Sequence, residues 1–73
     1  MKNTTHQEIF LNKLCQEQIA CTLFLMNGFQ MRGTILAHDH FVLIAEVDGR
    51  QQMIYKHAVS TICPHQSLDI ATL

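Results

Sequence analysis

Tyr55, Lys56 and His57 stand in a row where one apolar stretch ends and the next begins, offering an aromatic face, a cation and an imidazole. That set suits a single-stranded nucleic acid: a ring stacks on a base, an ammonium answers phosphate or a base carbonyl, and an imidazole donates or accepts at a base edge. The triplet alone is weak, because small β proteins carry these residues together by chance. Two other groupings invite chemistry. His38-Asp39-His40 sets two imidazoles two apart, on one face if the segment is a strand, and Cys63-Pro64-His65 puts a thiol near an imidazole. Neither has a second ligand pair at a recognised metal-site spacing, so no metal and no cofactor is expected. Cys15 and Cys21 occupy apolar-patterned positions that keep a thiol neutral, and no oxyanion or Gly-rich motif accompanies them. The chain reads as non-catalytic. Asp39 reads as a turn residue whose carboxylate accepts from local backbone N–H groups.

The elements that position these residues follow from period and punctuation. Thr5-His6-Gln7-Glu8 fits a capping box, and Phe10, Leu11, Leu14 and Cys15 recur at one-face spacing behind it. A helix over about residues 6–18 follows. The period then drops to two: Ile19, Cys21, Leu23 and Leu25 alternate with Ala20, Thr22, Phe24 and Met26 up to Asn27-Gly28, a hairpin signal. If Leu23 and Leu25 face the core, Phe24 faces solvent, where its ring can stack on a base. A second strand runs from Phe29 to His38, and Gly33 inside it permits a bend or bulge. Asp39-His40 turns the chain into a third strand, Phe41–Glu46. Asp48-Gly49 turns it again into a fourth, Gln51–Tyr55, and Ala58–Cys63 is the fifth, stopped by Pro64.

One N-terminal helix and five short antiparallel strands over about residues 19–63 give a mainly β fold, a small open barrel of strongly bent sheet. An SH3-like or OB-like barrel has the same pattern. Residues 1–64 form the domain, and 65–73 read as a short flexible tail.

The chain has 73 residues, 48% of them apolar. So small a chain barely offsets its chain entropy with one core and cannot bury that much apolar surface alone. Three cysteines without a CxxC spacing exclude a disulfide framework, which leaves oligomerisation as the stabiliser. No membrane span or signal-peptide pattern is visible, so a cytoplasmic protein without membrane contact is expected. A formal net charge of −1 excludes a general basic coat. RNA affinity must come from focused sites.

Phe10-Leu11-Asn12, the run Leu25-Met26-Asn27-Gly28-Phe29-Gln30-Met31-Arg32-Gly33, then Asp39-His40-Phe41, and finally Tyr55-Lys56-His57-Ala58-Val59-Ser60-Thr61 stand in an order that resembles the Hfq family of bacterial Sm-like RNA chaperones. The resemblance covers about Gln7 to Pro64. It implies a homohexameric ring closed by pairing the fourth strand of one subunit with the fifth of the next, and single-stranded RNA, including small regulatory RNAs and mRNAs, as partner. On the helix-bearing, proximal face it implies uridine-rich binding by Gln7, Phe41, Lys56 and His57, with Glu8, His40 and Tyr55 nearby. Phe41 would stack on a base, Lys56 and Gln7 would bond uracil carbonyls, and His57 would line the pore. On the distal face it implies adenine-rich or purine-containing RNA at Phe24, Asn27, Gly28, Phe29, Gln30, Met31, Arg32, Gln52 and Thr61.

Two departures stand out. The rim commonly carries arginines in this family, whereas Cys15-Gln16-Glu17-Gln18 and Glu46 supply no cation here, so weak annealing of RNA strands is expected. His40 stands where glutamine or asparagine is commoner.

The residues alone leave blander readings open. Phe41 could be core, Phe24 and Phe29 a subunit contact, and Lys56 a solvated strand-end cation. On that reading the chain is a protein-interaction or structural ring, metal-tuned through its histidines, without chaperone activity.

Overall fold

The computed structural model describes residues 5–68. Thr5 starts helix α1 (His6–Gln16) with a complete capping box: its hydroxyl accepts from the Glu8 N–H at 3.1 Å, and the Glu8 carboxylate accepts from the Thr5 N–H at 3.1 Å. Leu11 and Leu14 are buried, and Phe10 and Cys15 pack beside them. The helix ends two residues before the expected Gln18 because Gln18 takes a left-handed φ of 50°. With it, Ile19 N–H reaches Leu14 O at 3.1 Å and Gln18 N–H reaches Cys15 O at 3.3 Å. This is a Schellman ending with glutamine where glycine is usual, and buried Ile19 lies against buried Leu14 as that motif favours.

Five strands follow: β1 (Ala20–Leu25), β2 (Gln30–His38), β3 (Val42–Val47), β4 (Arg50–Tyr55) and β5 (Val59–Pro64), with a single 3-10 turn at Lys56–Ala58 before the last. They form one antiparallel sheet in the order β4-β3-β2-β1-β5. Its outer strands are therefore β4 and β5. The sheet curls around Cys21, Leu23, Ile35, Leu43, Ala45 and Ile54, and α1 lies against β2.

Curvature has two separable causes. In β2 the register shift falls between Ile35 and Ala37, two residues after the glycine where a bulge was expected, and a second shift lies between Phe24 and Leu25 where β1 pairs β5. Gly33 instead permits close approach: a Cβ there would run into the Glu46 carbonyl oxygen, and Val47 Cγ2 would lie 3.0 Å away. At Asn27-Gly28 the loop is one residue longer than the shortest hairpin. Gly28 N–H donates to Leu25 O at 2.9 Å, Leu25 N–H to Phe29 O at 2.8 Å, and Gly28 alone takes a positive φ, 93°. Asp48 and Gly49 both take positive φ, 53° and 76°, and Val47 pairs Arg50, as a two-residue turn requires.

Beyond Pro64 the first residues of the expected tail are held to the body. His65 N–H donates to Ala20 O at 2.8 Å, its ring Nε2 lies 2.9 Å from the Thr22 hydroxyl, and Leu68 packs on the core. Residues 69–73 of that tail lie outside the described residues.

Candidate nucleic-acid interface

Three separate segments converge at the N-terminal end of α1. Gln7 and Glu8 come from its first turn, His40 and Phe41 from the β2–β3 turn, and Lys56 from the 3-10 turn after β4. Asp39 organises the middle segment. Its Oδ1 accepts from Phe41 N–H at 2.8 Å and Val42 N–H at 2.9 Å, and those two bonds hold its carboxyl below the usual carboxylate range. Lys56 N–H in turn donates to Phe41 O at 2.8 Å. The Phe41 backbone is thus bonded at both its N–H and its C=O, while its side chain is 74% exposed. A large aromatic ring held out in water by a fixed backbone can serve as a stacking face. The core alternative for Phe41 is excluded by that exposure.

Around this ring the side chains divide between two hollows that share Lys56. One, of about 340 Å³, runs between Gln7, Phe10 and Lys56 and the edge of β5 at Val59–Ile62. The other, of about 240 Å³, is lined by Glu8, His38, Asp39, His40 and Lys56. The His40 ring meets Phe41 edge-on, with centroids 5.9 Å apart and planes at 66°. Tyr55 and His57 stack on each other at 5.6 Å and 26°.

Across the sheet the distal residues form a row. Phe24 pairs with Gln30 on one side and Thr61 on the other, so the three stand abreast on β2, β1 and β5. Phe24 is half-buried, not open to solvent as alternation suggested. Burial along β1 is not alternating there, since Thr22 on the same face is covered at 9% exposure and carries the His65 contact. Phe29 beside the row is 69% exposed, and its N–H donates to Asn27 Oδ1 at 3.0 Å. Arg32 pairs with Thr22 and so shares the face. Met31, opposite Leu23, packs towards the core instead. Gln52 joins Gln30, Met31 and Arg32 at a hollow of about 420 Å³ near the Asp48 turn.

His38 and Asn12 were not singled out together in the sequence. The His38 Nε2 lies 2.7 Å from Asn12 Oδ1, tying β2 to α1. Only the i, i+2 histidine spacing was visible, and Asn12 falls on the polar side of the helix, where nothing marks a partner. Among the described residues no three His, Cys, Asp or Glu side chains gather as a metal site. Burial raises the Cys21 thiol, with Cys15 and Cys63 adding to the effect, and burial raises Cys15 too. At the rim, Lys13 is engaged by Glu17 at 3.7 Å, and Gln16, Gln18 and Glu46 are exposed.

A capped helix followed by a bent, open five-stranded antiparallel sheet in this strand order defines a protein of the Sm-like class. A crystal structure of "the pleiotropic translational regulator, Hfq" matches it with a TM-score of 0.79 at 39% identity, covering 81% of this chain and 98% of that one. The family model described as Hfq protein matches residues 6–69. RNA-binding protein Hfq of Anoxybacillus flavithermus is 52% identical over 71 residues, 96% of each chain. RNA-binding protein Hfq of Geobacillus kaustophilus is 51% identical over 73 residues, 99% of this chain and 97% of its own. The chain belongs to the Hfq family. Among the described residues no helix is long and apolar enough to cross a membrane.

Proposed function

We propose that this chain is a non-catalytic, RNA-binding post-transcriptional regulator that works as a homohexameric ring, holding uridine-rich single strands on the helix-bearing face and adenine-rich or purine-containing strands on the opposite one. The observation that carries the reading is the 74%-exposed Phe41 ring, its backbone held by Asp39 and by Lys56, which lines a hollow with Gln7. A base stacks on Phe41 while the Lys56 ammonium and the Gln7 amide answer the two uracil carbonyls; His40, Glu8, Tyr55 and His57 border the site. The distal row supports the second specificity. Phe24 offers one aromatic edge between the hydrogen-bonding groups of Gln30 and Thr61, with Asn27, Gly28, Phe29, Met31, Arg32 and Gln52 around it.

Ring closure rests on the outer strands. Strands β4 and β5 each have one neighbour within the chain, and β4 leaves Met53 and Tyr55 more than half exposed, at 57% and 52%. Pairing β4 of one copy with β5 of the next satisfies both edges. The small regulatory RNAs and mRNAs of the cytoplasm are the partners this reading assigns. The test is equilibrium binding of oligouridine and oligoadenosine at fixed salt, with native mass spectrometry of the same sample. Affinity for both by a hexamer is the expected result, and a folded monomer that binds neither would leave only the protein-interaction reading.

A further inference from the structure

We propose that the His38–Asn12 hydrogen bond is a latch that seats helix α1 on β2 beside Lys56, and that protonation of the His38 ring opens it, so that uridine-rich RNA is released from the helix-bearing face in acid. The proposal rests on the uridine reading above and adds a positioning residue to it.

The heavy-atom geometry points to one state of the ring. Asn12 presents Oδ1, an atom that only accepts, so the His38 Nε2 at 2.7 Å carries the hydrogen and donates. In a neutral ring the other nitrogen is then a bare acceptor. That nitrogen, Nδ1, is buried and has no hydrogen-bond partner among the described residues. A second proton would have to enter there, creating a cationic donor with no acceptor in a place shielded from water. Among the described residues the charges that act on this ring belong to the candidate site, Glu8 on α1, Asp39 in the turn and Lys56 on the 3-10 turn, which line one hollow with His40. Burial does most to disfavour the charged ring and the Lys56 ammonium adds to it, against smaller opposing pulls from Glu8 and Asp39. The protonated ring therefore gains by rotating out to water, where its bond to Asn12 is lost.

What the latch holds is the start of the helix. Asn12 lies one turn beyond Glu8 on α1, and Gln7 and Glu8 reach the two hollows that share Lys56. With the bond broken, α1 stays seated by Leu11 and Leu14 but its first turn loses its polar tie to β2, and the amide of Gln7 is held less tightly relative to Lys56. Among the described residues no hydrogen bond joins the distal row to His38. Its binding should not follow this proton.

Two measurements on the assembled protein test the latch. Nitrogen-15 spectra of the imidazoles should show His38 as the Nε2–H tautomer, with a titration midpoint below the ordinary histidine range. The Nδ1–H tautomer, or an ordinary midpoint, overturns the proposal whatever RNA does. Oligouridine affinity is then followed from about pH 7.5 to about pH 4.5, well past a lowered His38 midpoint, in the unmodified chain and in His38→Phe. The affinity of the unmodified chain, relative to that of the variant, should fall by up to about tenfold per pH unit, the limit for one linked proton. A ratio constant within about twofold overturns the proposal, as does a rise in acid. His40→Gln, which removes the neighbouring imidazole, should keep the loss, and its disappearance there would reassign the effect to His40. Asn12→Ala should raise the His38 midpoint towards the ordinary range and weaken oligouridine at neutral pH; neither change would sink the latch. Where His38→Phe does not assemble, His38→Gln takes its place. A chain that binds no oligouridine at any pH refutes the RNA reading, while the tautomer and midpoint still decide the latch.

Discussion

Phe41 and Phe24 centre the two candidate RNA faces, and the chain holds them in opposite ways. Phe41 sits on a turn, its backbone bonded to Asp39 and Lys56 and its ring 74% exposed. Phe24 sits inside a strand, half-buried, between Gln30 and Thr61 on paired neighbours. The first is a platform whose exposure depends on a few hydrogen bonds in a loop. The second is part of a surface whose shape is the sheet itself. Turn-borne recognition can therefore be lost without harming the fold, whereas strand-borne recognition shares its residues with packing.

The largest expected effect breaks the comparison at its centre. Phe41→Ala should cost about 1 to 3 kcal/mol per stacked base, roughly 5- to 150-fold in oligouridine affinity, with oligoadenosine binding and thermal stability nearly unchanged. Lys56→Ala should act in the same direction. Phe24→Ala should lose a comparable amount of oligoadenosine affinity, and because the ring is half-buried it should also lower the thermal midpoint, which Phe41→Ala should not. Equal loss of both RNAs in both variants would mean one shared site. A smaller effect separates the loop from its ring: Asp39→Ala removes the acceptor of the Phe41 and Val42 N–H groups and should weaken oligouridine several-fold, because both bonds are exposed to water and each is worth little, whereas Asp39→Asn keeps an acceptor oxygen and should lose less. Titration of oligouridine binding in each variant decides it. The smallest effect is at the rim, where Lys13 is engaged by Glu17 and its exposed neighbours bring no free cation. Annealing of two complementary structured RNAs needs cations to screen two phosphate backbones and should be accelerated little. Cys15→Arg with Gln16→Arg should raise that rate with little change in oligouridine affinity. Strong annealing by the unmodified chain would place the activity elsewhere.

Much of the fold was legible because local signals agreed with one another. The capping box at Thr5, the shift from helical to alternating period after Gln18, and the Asn27-Gly28 and Asp48-Gly49 turns lie at the boundaries they announced, within a residue or two. The details that escaped depend on contacts between distant segments. Gly33 signalled a bend, yet its need for a bare Cα comes from Glu46, thirteen residues on, and the actual bulge falls at Ile35 and Ala37. Alternation put Phe24 in solvent because it could not register the cover that a bent sheet and the chain after Pro64 bring to that face. Of the candidate site, residue types were readable but not their grouping: Gln7, Glu8, His40, Phe41 and Lys56 meet only because α1 lies across β2. The His38–Asn12 bond had no sequence signature at all, since twenty-six positions separate its partners.

The outer strands carry one more consequence, in genetic terms. If copies join β4 to β5, each subunit has one donor edge and one acceptor edge, and a ring forms only when every edge of both kinds is sound. A subunit with proline at a β5 position whose N–H points away from β1 would still present β4 to a neighbour but could not receive one. Such a variant would cap a growing arc and prevent its closure, so a minority of defective subunits would disable a majority of normal ones. Lesions on the outer strands should therefore be dominant, whereas a lesion at Phe41, which leaves both edges intact, should be recessive.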